Sequence, residues 1–219
     1  MWWLGGLVGA VAGLLLGGLA LVPLVNDELM RREYPPLPGH SKLALTLAAA
    51  VGGAGVGWRF YDPGTAWPLV ALTYGYLVVL ALVVSTVDLR IHILPNRFIL
   101  PAYVLGPGLL AAATWVTGAP WSQWGRALAI GILAYVLFFL LSLLGSMGFG
   151  DVKLAGVLGL FLGWLGPGVA ALGVILAFLG AGLWALGLVA TRRATGATHV
   201  ALGPWLGLGA VAAVFLSAP

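Results

Sequence analysis

"WPLVALTYGYLVVLALVVSTVDLRIHILPN", residues 67–96, decides what kind of protein this is. Residues 67–87 contain no charged side chain. A helix that crosses the hydrocarbon core of a bilayer needs about 20 consecutive apolar residues, and this run supplies them. Charge then appears at once, as Asp88 and Arg90. Pro95 follows, which stops helix continuation and biases Leu94 toward extended backbone. The stretch therefore reads as a transmembrane span that ends in a carboxylate at the membrane edge.

The rest of the chain repeats the pattern. Its 219 residues are 62% hydrophobic and 7% charged, with a mean hydropathy of +1.09. A soluble domain usually carries about 25% charged residues. The expected fold is all-α, a polytopic transmembrane helix bundle forming a single membrane domain over residues 1–219, with the lipid bilayer as its surroundings. The absence of cysteine excludes disulfides, thiolate catalysis and cysteine-based zinc sites. The net charge of +4 is spread over loops and reads as topology information, not as a nucleic-acid footprint. The first apolar run has no basic region ahead of it and is too long for a signal peptide.

Clusters of charge, proline and glycine divide the apolar sequence into eight expected spans: 3–24, 43–58, 67–87, 98–117, 126–145, 152–164, 168–190 and 201–217. The second and sixth are short, and the break at Trp164-Leu165-Gly166-Pro167 could instead be a kink. Eight spans place Arg31, Arg32, Lys42, Arg90, Arg97, Lys153, Arg192 and Arg193 on one side, against Arg59 and Arg126 on the other. Basic residues mark the cytoplasmic side, so both termini are expected outside a prokaryotic cytoplasmic membrane. The small-residue series Gly5/Gly9/Gly13/Gly17 predicts close helix contact. Tryptophans near the span ends fit an aromatic belt.

Six acidic residues remain to be placed. Asp27, Glu28 and Glu33 fall in the first cytoplasmic loop, and Asp62 in an external turn, where solvation accounts for them. Asp88 and Asp151 fall at helix ends on one membrane face. An ionisable group at the edge of the hydrocarbon is a functional candidate. Asp151 lies in "MGFGDVKLAG", residues 147–156. Gly148 and Gly150 lack Cβ atoms, so the backbone there can turn sharply or admit a neighbouring helix or peptide.

Two carboxylates sharing a proton can hydrolyse an amide, one activating water and the other protonating the group that develops charge. Asp151 near a helix N-terminus is favoured as the anion, and Asp88 near a helix C-terminus is favoured as the acid. Plainer explanations stand beside this one. Asp151 can cap a helix, Asp88 can pair with Arg90 or Arg97, and both can serve as a proton or cation relay in a transporter or exporter subunit. His92 and His199 make a two-Asp, two-His metal site conceivable, although interfacial histidines are the simpler account and no metal is expected.

At these residues the chain resembles the type IV prepilin peptidases, membrane aspartyl proteases with a GxGD motif. "GFGDVKL" at 148–154 is similar to the family's FGxGD-x-K-L signature, with Ser146-Met147 in place of the usual Phe-Gly pair. Asp88 precedes Leu94-Pro95-Asn96 by six residues, as the family's first aspartate precedes its Ile/Leu-Pro-Asn/Asp tripeptide. "GLFLGW" at 159–164 resembles the run after the second motif, and "GPWLGLGA" at 203–210 resembles a later FGP-x-L-A-L-G segment.

The resemblance covers residues 80–215 and implies a peptidase core there, with residues 1–45 as a divergent span and short loop. It implies cleavage of the basic leader from prepilins or pseudopilins at the cytoplasmic face, ahead of their hydrophobic helix. Asp88 and Asp151 would be the catalytic pair, with Gly148, Gly150, Lys153, Pro95 and Asn96 in support. Lys153 would orient Asp151 or a substrate carbonyl, or else snorkel to headgroups. Asn26, Arg31 and Pro35 loosely echo an N-terminal family motif. Larger members have two Cys-x-x-Cys pairs and also methylate the new N-terminus from S-adenosylmethionine. This chain has no cysteine and a first loop of about 18 residues. The peptidase activity needs no cofactor, and the methylation stays open.

Overall fold

The computed structural model describes residues 2–62, 67–145, 147–191 and 201–217. Among them every regular element is a helix. Helix α1 (Trp2–Leu16) runs through a π turn (Gly17–Leu21) into α2 (Val22–Arg31). Then come α3 (Gly39–Phe60), α4 (Trp67–Ile91), α5 (Asn96–Thr117), α6 (Trp121–Leu143), α7 (Phe149–Leu165), α8 (Pro167–Ala190) and α9 (Gly203–Leu216). Six helical stretches among the described residues are long and apolar enough to cross a membrane. Helices α7 and α9 are shorter, at 17 and 14 residues. The chain is a polytopic helical membrane protein. Its eight expected spans correspond to eight helical stretches, of which six reach full spanning length.

The boundaries differ in informative places. The first helix continues to Arg31 instead of ending near residue 24, so Asp27 and Glu28 lie on a helix and not in a loop. Two i,i+4 ion pairs hold that extension: Arg31 Nε to Asp27 Oδ2 at 3.0 Å and Arg32 Nε to Glu28 Oε1 at 2.8 Å. Val25 and Leu29 bury its other face. Pro23, which offers no N–H, sits just after the π turn, where the widened backbone tolerates it. The second span is not short, because α3 starts at Gly39. The break between the sixth and seventh spans is a true reversal. Gly166 has φ 153°, open to glycine, and Pro167 restarts the chain in α8. A Cβ on Gly173 would lie 2.6 Å from Leu162 Cδ1, so α8 folds back along α7.

Small residues set the packing. Gly5, Gly9 and Gly13 face Gly57, Gly53 and Ala49 in antiparallel order, and each would drive a Cβ into the opposing backbone. Helices α6 and α7 meet in the same way through Gly131, Gly159 and Gly163. The larger apolar core joins α4, α5, α7 and α9, and a second core joins α2 to the last turns of α4 through Val25, Leu29, Val87 and Ile91.

This packing gathers five helix ends in one place. The C-terminal ends of α2 and α4 meet the N-terminal ends of α5, α7 and α9 there. Arg31, Arg32, Lys42, Arg90, Arg97 and Lys153 all sit at that end, while Arg59 and Arg126 sit at the other. Arg192 and Arg193 lie outside the described residues.

Candidate active site

A cavity of about 490 Å³ opens among these helix ends, and Asp88 and Asp151 both line it. Asp88 comes from α4, one turn before its end, because the helix runs to Ile91 and does not close at residue 87. His92 then takes φ 53° and donates its N–H to Asp88 O at 2.8 Å, turning the chain toward Leu94. Asp151 comes from the first turn of α7. Each carboxylate is buried, with relative exposures of 5% and 8%, and they are close enough to interact electrostatically.

Of the plainer explanations for the two aspartates, the structure keeps a helix-end contact for Asp151 and removes the arginine pairing of Asp88. The cap residue of α7 is Gly148 and makes no side-chain cap bond. Asp151 stands three residues further on and takes the Gly148 N–H on its carboxylate, the reciprocal half of a capping box. Arg90 bonds Ser41 Oγ at 3.0 Å, and Arg97 bonds Asp27 and Glu28, so neither pairs with Asp88.

The dipole argument for assigning acid and base also needs correction. Asp88 lies near the C-terminus of its own helix, but packing brings it to the N-terminus of α9. There the Gly203 N–H reaches its carboxylate, and Pro204 occupies the first turn. Both aspartates therefore face a helix N-terminus, and the dipoles no longer separate them. A different asymmetry takes over. Asp151 Oδ1 is fully buried with no hydrogen-bond partner among the described residues. A buried charged oxygen without a partner is costly, and among the described residues no oxygen of Asp88 is in that state.

Gly150 acts through packing and not through turning, and Gly148 has room for a side chain. Gly148 has φ −75° and Gly150 is helical, conformations open to any residue. A Cβ on Gly150 would lie 2.7 Å from Leu94 Cβ, and one on Gly203 would lie 2.7 Å from Asp88 Oδ2 and 3.1 Å from Leu94 Cδ2. Leu94 thus seats between α7 and α9, occupying the approach that the missing Cβ of Gly150 leaves open. Pro95 is buried as the cap residue of α5 and lies outside the cavity. Asn96 lines the cavity and accepts from Lys153 Nζ at 3.1 Å. Lys153 therefore joins the two aspartate motifs, a role beyond both of those considered from sequence. Its ammonium also lies 4.9 Å from the Phe149 ring centroid.

Asn26 and Arg31 are at the same end of the bundle but not in the cavity. Asn26 Oδ1 accepts the Leu37 N–H at 2.8 Å, which pins the short loop before α3. Arg31 is engaged with Asp27. Sequence reasoning overlooked three features. Tyr103 Oη donates to Lys153 O at 2.8 Å and holds α7 to α5. Gly203 packs closely against the Asp88 carboxylate. Glu28 is buried against Arg97 and the half-exposed Asp27 pairs with it too, and an acidic pair spaced four residues before two arginines is the signal that could have shown a helix end there. His92 lines the cavity, and His199 lies outside the described residues. Among the described residues no group of three or more His, Asp or Glu side chains is gathered to hold a metal.

Two buried carboxylates in one cavity, in an order that joins D-x5-LPN to GFGD, agree with the comparison of sequence families. The sequence model of the type IV leader peptidase family matches residues 75–190, slightly more than half of the chain. The chain belongs to the type IV leader peptidase family. No curated protein and no solved structure matches it. The region shared with these leader peptidases contains Asp88, Leu94-Pro95-Asn96 and Asp151. It leaves out α1 to α3 and the α9 segment that packs against Asp88. The protein is thus an integral membrane peptidase of the leader peptidase type, and its N-terminal helices lie outside the matched region.

Proposed function

We propose that this leader peptidase removes the basic leader of a prepilin or pseudopilin by aspartic catalysis, with Asp88 and Asp151 as the pair. The observation that carries this is the meeting of two buried carboxylates, from separate helices, in one cavity at the cation-rich end of the bundle. Asp88, facing the Gly203 N–H, is the ionised base. Asp151, with its partnerless Oδ1, holds the proton.

The chemistry follows from that distribution. Asp88 takes a proton from water as the oxygen attacks the scissile carbonyl. Asp151 gives its proton to the carbonyl oxygen, so a neutral gem-diol forms. Asp88 then protonates the leaving nitrogen, Asp151 recovers a proton from the diol, and the C–N bond breaks. The initial protonation state returns with each turnover, and no cofactor enters. General acid and base assistance of this kind contributes about 10²- to 10⁴-fold.

Orientation completes the reading. The cation-rich end faces the cytoplasm of a prokaryotic cell, so both termini lie outside. A basic leader would meet the cavity at the membrane surface while the hydrophobic helix of the substrate stays in the bilayer. A transport relay is disfavoured because its site belongs near the bilayer midplane, whereas both carboxylates lie at one end. Leader removal from a co-expressed prepilin, lost in Asp88→Asn and in Asp151→Asn, tests the assignment.

A further inference from the structure

The ion network beneath the cavity contains charges that are badly placed within their own helices. Glu28 lies in the last turn of α2, where the macrodipole disfavours an anion, and Asp27 lies just before it. Arg97 lies in the first turn of α5, where the macrodipole disfavours a cation. Arg31 and Arg32 offset part of the acidic mismatch from within the same helix end, and the two helices offset the rest for each other. Arg97 Nη2 meets Asp27 Oδ2 at 2.8 Å, and Arg97 Nε meets Glu28 Oε2 at 3.1 Å. Glu28 is 3% exposed, so it depends on its two guanidinium partners, Arg32 and Arg97. Local sequence preference has yielded to a tertiary contact, as happens at sites under functional constraint.

The contact leads directly to the site. Arg97 follows Asn96, which accepts from Lys153, two residues beyond Asp151. Leu94, three residues before Arg97, fills the space in front of Gly150 and Gly203. The last turns of α4, leading to Asp88, pack on the same α2 through Val87 and Ile91. Helix α2 therefore touches α4, which presents Asp88, and the start of α5, whose Asn96 bonds Lys153 of the helix that presents Asp151, although α2 lies outside the matched family region.

We propose that Glu28 and Arg97 form a positioning clamp, through which α2 sets the register of the Leu94–Asn96 turn and hence the separation of Asp88 and Asp151. The inference rests on the proposed peptidase reaction. Neither residue touches substrate; both act through Asn96 and Leu94.

The test uses the full-length chain in proteoliposomes with a synthetic prepilin that carries its leader. Glu28→Gln and Arg97→Gln should each lower kcat roughly ten- to hundredfold, the scale of a small misplacement at a reacting centre. KM should stay within about twofold, and the double variant should be no worse than the weaker single. Thr114→Ala, which removes the acceptor of the Trp164 Nε1 bond at the opposite end, is the stability control and should keep kcat. Unchanged kcat in both single variants, multiplicative losses in the double, or an equal kcat loss in the control would overturn the clamp. An activity-independent readout separates its failure from that of the proposed function. The chain has no cysteine, so spin labels can be placed at Leu100 and Leu144, which are exposed. Their distance distribution should be narrow in the parent and broadened in Glu28→Gln and Arg97→Gln. An unchanged distribution in both overturns the clamp even if the parent cleaves no prepilin, an outcome that would end the proposed function by itself.

Discussion

Lys153 Nζ donates to Asn96 Oδ1 at 3.1 Å, and this bond joins the turn that follows Asp88 to the helix whose first turn carries Asp151. Neither motif is complete without the other, because the bond crosses between them. It is exposed to water at the mouth of the site, so its net worth is modest. Lys153→Met and Asn96→Ala should each lower leader removal roughly three- to tenfold, the range of one hydrogen bond. Together they should do little more than one alone. Asn96→Asp, which keeps an acceptor for the ammonium, should retain activity. Steady-state cleavage rates check all four.

The contact between Leu94 and Gly150 gives a steric prediction. A methyl group at position 150 would come within 2.7 Å of Leu94 Cβ. Gly150→Ala should therefore cost on the order of 1–3 kcal/mol, the usual penalty of overpacking, and should lower activity. Adding Leu94→Ala should restore part of both. Thermal melting in detergent and cleavage assays report the pair. A Gly150→Ala variant as stable and active as the parent would show that the turn is not seated as described.

In the proposed mechanism the two carboxylates share one proton and titrate as a unit. Cleavage should follow a bell-shaped pH profile. Activity falls at low pH as the base, Asp88, becomes protonated, and at high pH as the acid, Asp151, loses its proton. Difference infrared spectroscopy at the pH optimum assigns the roles. The protonated carboxyl band should vanish in Asp151→Asn and persist in Asp88→Asn. The reverse pattern would make Asp151 the base.

Much of this was legible in the sequence, for a physical reason. A bilayer demands long apolar runs, so the spans stand out, and any carboxylate left at their ends stands out too. The pairing of Asp88 with Asp151 followed from that cost. What stayed hidden depends on packing between distant segments. The N-terminus of α9 reaches Asp88 across more than a hundred residues, which cancels the dipole argument made from α4 alone. Gly150 was open to a sharp turn or to close approach, and only the position of Leu94, distant in sequence, decides for close approach. The last turns of α2 looked like a charged loop because their acids and arginines were read one at a time. Read at i,i+4 spacing, those charges fit a helix end.

Asn26 and Arg31, the residues that echo a family segment linked to methyl transfer, are both engaged within the chain. Mass spectrometry of the processed substrate should find an unmodified new N-terminus. A mass increase of one methyl group, dependent on added S-adenosylmethionine, would assign the second activity.

The central claim is that Asp88 and Asp151 together cleave a prepilin leader. Co-expression with a prepilin, followed by separation of precursor and mature forms on a gel, tests it most directly. The account predicts mature pilin with the parent chain and only precursor with Asp88→Asn or Asp151→Asn, each variant still present in the membrane. Mature pilin appearing with either variant, or none with the parent, would contradict it.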